Sequence, residues 1–168
     1  GHPRHLLTIW GVGTGWGSGG AYVGPALVLV GILIALYLTL YKIGVIGDLS
    51  CTLGSCETVN TSKWATFLGL PVAAWGLAAY VALFALSLAG TTDRYAGSQT
   101  ISVLLVAISA WSVVFSAWLT YLELFVIHAI CIWCVTSAVI LVLILVVSVV
   151  DLKGTRGAGR ALGALEQR

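Results

Sequence analysis

Residues 124–150 read LFVIHAICIWCVTSAVILVLILVVSVV and contain no Asp, Glu, Lys or Arg. The hydrocarbon core of a bilayer is about 30 Å thick, and a helix of about 20 apolar residues crosses it. The segment is therefore long enough to span a membrane as one helix. It also contains Cys131 and Cys134, whose CxxC spacing places both side chains on one face of a helix.

Three further apolar segments precede this one, at residues 22–41, 68–90 and 100–122. Hydrophobic residues make up 60% of the chain and charged residues only 8%, with a mean hydropathy of +1.05. Soluble domains contain about 25% charged residues, so this composition excludes a soluble globular protein. The sequence predicts an all-α integral membrane protein, a bundle of four transmembrane helices in contact with lipid.

The segments outside the spans are assigned by composition. Residues 1–21 begin without Met and include GVGTGWGSGG (11–20), which indicates a tag, a linker or a flexible N-terminus. Residues 42–67 form the longest connection. A short helix is predicted over 61–68, with Thr61 or Ser62 as its N-cap. Residues 151–168 are expected to be a cytoplasmic tail.

The distribution of Lys and Arg predicts the orientation in the membrane. Four spans put both termini on the same side as the connection at Asp93 and Arg94. Of the eight Lys and Arg residues, only Lys42 and Lys63 fall on the other side. Because cytoplasmic loops carry the excess of positive charge, the termini are expected in the cytoplasm, and the loop 42–67 in the periplasm of a bacterial inner membrane.

The four cysteines form two close pairs on this periplasmic side. Cys51 and Cys56 lie in the loop, and Cys131 and Cys134 lie near the start of the last helix. A CxxC near a helix N-terminus suits thiol–disulfide exchange, since the helix stabilises a thiolate. The other interpretations are buried small hydrophobes, a zinc site and static structural disulfides.

Other polar residues give weaker signals. Glu123 is interpreted as a marker of the membrane interface and His128 as an interfacial residue, while Asp48 and Glu57 are expected to be solvated. A net charge of +2 without a basic patch gives no indication of nucleic-acid binding. No metal cofactor is predicted.

Two segments resemble the vitamin K epoxide reductase (VKOR) family. They are CTLGSCETVNTSKWATFLGLPVAAWG (51–76) and CIWCVTSAV (131–139), and the resemblance extends over about residues 22–150. The shared features are a loop cysteine pair, a Ser/Thr–Ser–basic–Trp element, a Gly-Leu-Pro entry to the second span and a CxxC opening the fourth. The resemblance implies a membrane thiol:quinone oxidoreductase that supports disulfide-bond formation, with a quinone of the ubiquinone, menaquinone or vitamin K type as bound substrate.

The resemblance also implies a role for each cysteine. Cys134 would face the quinone, with Cys131 as its disulfide partner, and Cys56 would relay electrons to Cys131. Cys51 would receive them from a periplasmic thioredoxin-like (DsbA-like) protein. Many bacterial members carry a fused thioredoxin-like domain, and this sequence ends at Arg168 without one, so either the partner is a separate protein, as expected here, or that domain has been removed. The positions that match the quinone pocket of the family are Trp75, Tyr80, Leu119, Ile127 and Ala138.

Two departures from the vertebrate members argue against epoxide reduction. Ala138 stands where those members have a tyrosine, and no asparagine matches the one in their second helix. A DsbB-type oxidase would have the same role, but by resemblance its CxxC lies in the first periplasmic loop rather than in the last helix. A non-enzymatic four-helix membrane protein with structural disulfides is the alternative of another class.

Overall fold

The chain folds as an all-α bundle in a computed structural model that describes residues 23–92, 94–95 and 98–168. The segment 1–21, predicted as a tag or linker, lies outside the described residues. The helices are α1 (Val23–Lys42), α2 (Cys56–Thr61), α3 (Val72–Thr91), α4 (Gln99–Leu122) and α5 (Ile132–Glu166). A 3-10 turn (Lys63–Ala65), two short strands and a π-helical turn complete the described elements.

Four helices among the described residues are long and apolar enough to cross a membrane, which confirms the predicted fold class. These spans are Gly24–Lys42, Val72–Gly90, Gln99–Ile127 and Ile132–Glu166. Helix α4 packs mainly on α5, and α1 mainly on α3. Apolar side chains from all four helices, such as Val28, Leu83, Leu105 and Ile144, are fully buried between them.

Close approach of α1 and α3 depends on a glycine. Gly31 lies directly against the ring of Tyr80, and a Cβ atom at this position would overlap the ring. Tyr80 is 1% exposed as a result, and its hydroxyl reaches α5, where it bonds the Ser137 hydroxyl at 2.8 Å. This tyrosine therefore connects three of the four spanning helices.

The connection between α1 and α3 contains a short helix, but the predicted position 61–68 is wrong. Helix α2 ends at Thr61 with Ser62 as its C-cap, and the predicted N-cap Ser62 starts only the 3-10 turn Lys63–Ala65. The Ser62 hydroxyl donates to the Val59 carbonyl at 2.7 Å, which closes the last turn. Residues 66–71 form a β-hairpin of β1 (Thr66–Phe67) and β2 (Leu70–Pro71), with left-handed residues at its turn.

The boundaries of the last span also differ from 124–150. Residues Glu123–Ile127 continue α4 as a π-helical turn, which His128 ends in the left-handed conformation at φ 55°. Helix α5 begins at Ile132, with Cys131 as its N-cap, and continues to Glu166 through most of the predicted tail. Its 35 residues extend about 52 Å at 1.5 Å each, so α5 continues beyond a hydrocarbon core of about 30 Å.

Candidate redox site

Both cysteine pairs lie at the same end of the bundle. Cys51 and Cys56 form a disulfide with a Cα–Cα distance of 6.0 Å. Cys131 and Cys134 are free thiols, the first buried and the second partly buried. One disulfide and one dithiol are therefore adjacent in the molecule. Among the described residues, no cluster of three His, Cys, Asp or Glu side chains could hold a metal ion.

The loop that carries the disulfide is docked on the backbone before the CxxC. Gly54 pairs with Cys131 in an isolated antiparallel bridge, and the Ser55 N–H donates to the Ile130 carbonyl at 2.7 Å. Gly54 has φ +89°, and a Cβ atom there would overlap the Ile130 carbonyl oxygen. Only glycine fits this position without strain. As a result Cys56 lies beside Cys131, and the two are 1% and 0% exposed.

One of the two residues between the thiols, Trp133, anchors the same loop. The Trp133 indole N–H donates to the Ser50 carbonyl at 2.7 Å. The Trp133 ring packs edge-on against Tyr37 with centroids 5.4 Å apart, and the Tyr37 hydroxyl accepts from the Ser50 N–H at 2.9 Å. Nothing in the sequence indicates this three-way contact, because its members are far apart in the chain. It fixes the segment that leads into Cys51.

The Cys131 sulfur occupies the N-terminus of α5 and accepts hydrogen bonds. The Cys134 N–H lies 3.4 Å from it, and the Asn60 amide nitrogen lies 3.6 Å from it. Hydrogen bonding from Cys134, with a smaller contribution from Asn60, lowers the pKa of the Cys131 thiol, while burial and the Glu123 carboxylate oppose this shift. Since the thiolate is the reactive form, this environment makes Cys131 more reactive, and Cys131 lies beside Cys56.

Asn60 is a site residue that the sequence analysis missed. Its side-chain amide also donates to the Cys56 carbonyl at 2.8 Å, and its backbone carbonyl accepts from the Lys42 ammonium at 2.9 Å. The side chain is 8% exposed. Asn60 therefore contacts both cysteine pairs at once, and its position on the inner face of α2 becomes visible only after the helix is placed at 56–61.

A cavity of about 410 Å³ opens between α1, α3, α4 and α5, and Cys134 lies on its wall. This volume is within the range of small-molecule sites. The lining is mainly apolar and aromatic. Besides Cys134 it includes Ile34, Leu38, Asn60, Phe67, Trp75, Tyr80, Trp111, Phe115, Leu119, Glu123, Ser137 and Leu141.

The predicted pocket residues divide into three groups. Trp75, Tyr80 and Leu119 line this cavity. Ile127 lines a smaller neighbouring cavity of about 40 Å³, which Cys134 also lines. Ala138 is partly buried on α5 and belongs to the lining of neither. The surface that faces Cys134 thus comes mainly from α3 and α4.

Glu123, which the sequence analysis interpreted as a marker of the membrane interface, is buried inside the protein beside the CxxC. Its side chain is 3% exposed, and its carboxylate accepts from the Cys131 N–H at 3.1 Å. It lines both cavities together with Cys134. The π-helical turn that begins at Glu123 points the carboxylate inward. The sequence places this acid at the end of an apolar segment, which does not indicate that its side chain points into the bundle.

Four spanning helices with a disulfide and a dithiol packed together at one end define an integral membrane protein equipped for redox exchange between cysteines. The chain belongs to the vitamin K epoxide reductase family, whose model matches residues 24–149. This match confirms the resemblance found in the cysteine motifs. Membership supports an oxidoreductase in the membrane that acts on disulfides and a quinone.

Proposed function

We propose that the protein is a thiol:quinone oxidoreductase. It passes electrons from a reduced thioredoxin-like partner through Cys51–Cys56 to Cys131–Cys134, and from there to a quinone. The observation that carries this proposal is that the two cysteines of the CxxC have different surroundings. Cys131 is packed against Cys56, whereas Cys134 lies on the wall of the cavity.

The exchange proceeds in four balanced steps. The partner's dithiol reduces the Cys51–Cys56 disulfide and becomes a disulfide itself. When the CxxC is oxidised, Cys56 attacks Cys131 and releases Cys134 as a thiol. Cys51 then attacks Cys56 and releases Cys131, and the low pKa of the Cys131 thiol favours it as a leaving group. The reduced CxxC finally transfers two electrons and two protons to the quinone, which leaves as a quinol.

The apolar cavity suits a quinone as the acceptor. A flat ring with two carbonyl oxygens needs an aromatic and aliphatic surface with few polar groups, which is the chemistry of the lining. Trp75 and Trp111 are 40% and 72% exposed in the structure. They lie on the lipid-facing side of α3 and α4, where a lipid-soluble substrate arrives.

We also propose that the cysteine end faces the periplasm and that both termini are cytoplasmic. Lys42 and Lys63 are near the cysteine end, while Arg94 and the basic residues of α5 from Lys153 onward are at the other end. A reporter that fluoresces only in the cytoplasm, fused after Arg168, should fluoresce. If the fusion protein is expressed normally but does not fluoresce, and a periplasmic reporter at the same position is active, the orientation is the opposite of the one proposed.

The reaction is tested with the purified protein, a ubiquinone-type or menaquinone-type quinone and two electron donors. Wild type should reduce the quinone with a reduced thioredoxin-like protein and with dithiothreitol. Cys56→Ala should lose the first activity and keep the second, because a small dithiol reaches the CxxC without the relay. Cys134→Ala should lose both, and Thr58→Ala, at an exposed position of α2, should lose neither.

Two results would contradict the proposal. If Cys56→Ala loses both activities to the same extent, the relay role is wrong. If wild type reduces neither quinone with either donor, the cysteines are structural and the non-enzymatic alternative holds.

A further inference from the structure

Reduction of a quinone by a dithiol moves two protons as well as two electrons. Each thiol of the CxxC loses a proton, and each acceptor oxygen gains one. The cavity that Cys134 faces is mainly apolar, so these protons require a specific carrier. Among the described residues that line the cavity, Glu123 is the only one with a carboxyl group.

Glu123 has the contacts that such a carrier needs. One carboxylate oxygen accepts from the Cys131 N–H at 3.1 Å, which holds the group at the start of α5. The side chain lines both the large and the small cavity together with Cys134. An ionisable residue inside a membrane bundle is costly to bury, and such residues are typical of proton pathways.

We propose that Glu123 carries the thiol protons of the CxxC to the acceptor in the cavity and is thus a catalytic residue. This inference rests on the proposed function. The Glu123 carboxylate takes the proton of the Cys134 thiol, and Cys134 supplies the first bond to the acceptor. Glu123 then donates that proton to one acceptor oxygen. Cys131 attacks the Cys134 sulfur to form the disulfide, which breaks the bond between Cys134 and the acceptor and leaves the electron pair of that bond on the acceptor. The Cys131 proton reaches the second oxygen through the same carboxylate.

Electrons and protons balance over one turnover. Two sulfurs lose two electrons and form one S–S bond, two oxygens gain two protons, and Glu123 returns to its initial state. Besides Cys134, the described titratable residues that line a cavity with Glu123 are Lys42 and Tyr80, and both have other partners. The Lys42 ammonium donates to the Asn60 carbonyl, and the Tyr80 hydroxyl bonds Ser137.

The test replaces the carboxyl by an amide of the same shape. In Glu123→Gln the amide oxygen can still accept from the Cys131 N–H, but the group no longer exchanges a proton. With dithiothreitol as donor, turnover should fall by about a hundredfold or more, the usual contribution of general acid–base catalysis. Glu123→Asp should recover part of the rate. Glu57→Gln, at an exposed acid of α2, should keep the wild-type rate.

A second measurement does not depend on activity. In a Cys134→Ser background with the loop disulfide intact, Cys131 is the only free thiol, and its thiolate is followed by ultraviolet absorbance against pH. Adding Glu123→Gln removes a carboxylate that raises the pKa of Cys131. The midpoint should therefore move to lower pH, while turnover in the Cys134-containing protein becomes slower. General damage to the site would not make the thiol more acidic.

The outcomes separate this inference from the proposed function. If wild type reduces no quinone, the proposed function fails. If wild type is active and Glu123→Gln has the same rate, the carrier role is overturned and the proposed function stands. An unchanged thiolate midpoint would also overturn the inference, because the carboxyl would then hold no charge beside the thiols.

Discussion

Replacing Gly54 by alanine should undock the disulfide loop from the CxxC. A left-handed backbone costs an alanine about 1–2 kcal/mol, and Gly54 has φ +89°. The added Cβ overlaps the Ile130 carbonyl oxygen and displaces the Ser55–Ile130 hydrogen bond, which contributes about 1 kcal/mol. A total loss of about 2–3 kcal/mol lowers the ratio of docked to undocked loop roughly 30- to 150-fold.

The proximity of Cys56 and Cys131 reports this ratio directly. In a Cys51→Ser/Cys134→Ser background these two cysteines remain, and a mild oxidant joins them only when the loop is docked. Gly54→Ala should slow this cross-linking by up to roughly 30- to 150-fold. In the protein with all four cysteines, the same change should lower the rate at which a thioredoxin-like donor reduces the quinone. The rate with dithiothreitol as donor should stay unchanged.

Gly44→Ala is the matched control for backbone strain. Gly44 has φ +86°, close to that of Gly54, but nothing lies within 4 Å of its added Cβ. The control should cross-link at the wild-type rate. Equal cross-linking in Gly54→Ala and Gly44→Ala would refute the conclusion that close approach at Gly54 holds Cys56 against Cys131.

Two further changes test the thiol environment and the bundle. Asn60→Ala removes a hydrogen bond that lowers the pKa of Cys131, so the thiolate midpoint should rise toward the ordinary value of 9.0. Because the folded pKa is depressed, its contribution to the stability of the reduced protein is present above the unfolded pKa and is lost as pH falls through the folded pKa. Asn60→Ala should make this loss smaller in unfolding measurements, and an unmoved midpoint would refute the contact. Gly31→Ala forces a methyl group into the Tyr80 ring and should destabilise the bundle by about 1–3 kcal/mol, seen as a lower thermal midpoint in detergent. Gly90→Ala, whose Cβ would meet its nearest neighbour at 3.6 Å, should match wild type.

The membrane class, the number of spans and the family all follow from the amino-acid sequence. The length of an apolar segment is a local property, and about 20 such residues are enough to require a membrane-spanning helix. The cysteine spacing and the Gly-Leu-Pro entry are local as well. Since alternating spans place every second connection on one side, the common location of both cysteine pairs also follows without a structure.

Local signals were not sufficient for the loop helix. Thr61 and Ser62 have the side chains of N-cap residues, but a serine hydroxyl can also bond a carbonyl at the end of a helix, as Ser62 does. The helix forms instead at residues 56–61. There Cys56 and Val59 bury their side chains against Cys131, a contact with a distant segment that outweighs the capping preference.

Only the tertiary structure determines where the last apolar run is interrupted and which way its polar neighbours point. Residues 124–150 have no charge and no proline, so nothing local marks the break between Ile127 and Ile132. The break is held by the Gly54–Cys131 bridge and by the Glu123 carboxylate on the Cys131 N–H. Backbone groups inside a membrane protein must find partners within the protein. Here those partners come from segments far apart in the chain, and they turn Cys131 toward the loop disulfide and Cys134 toward the cavity.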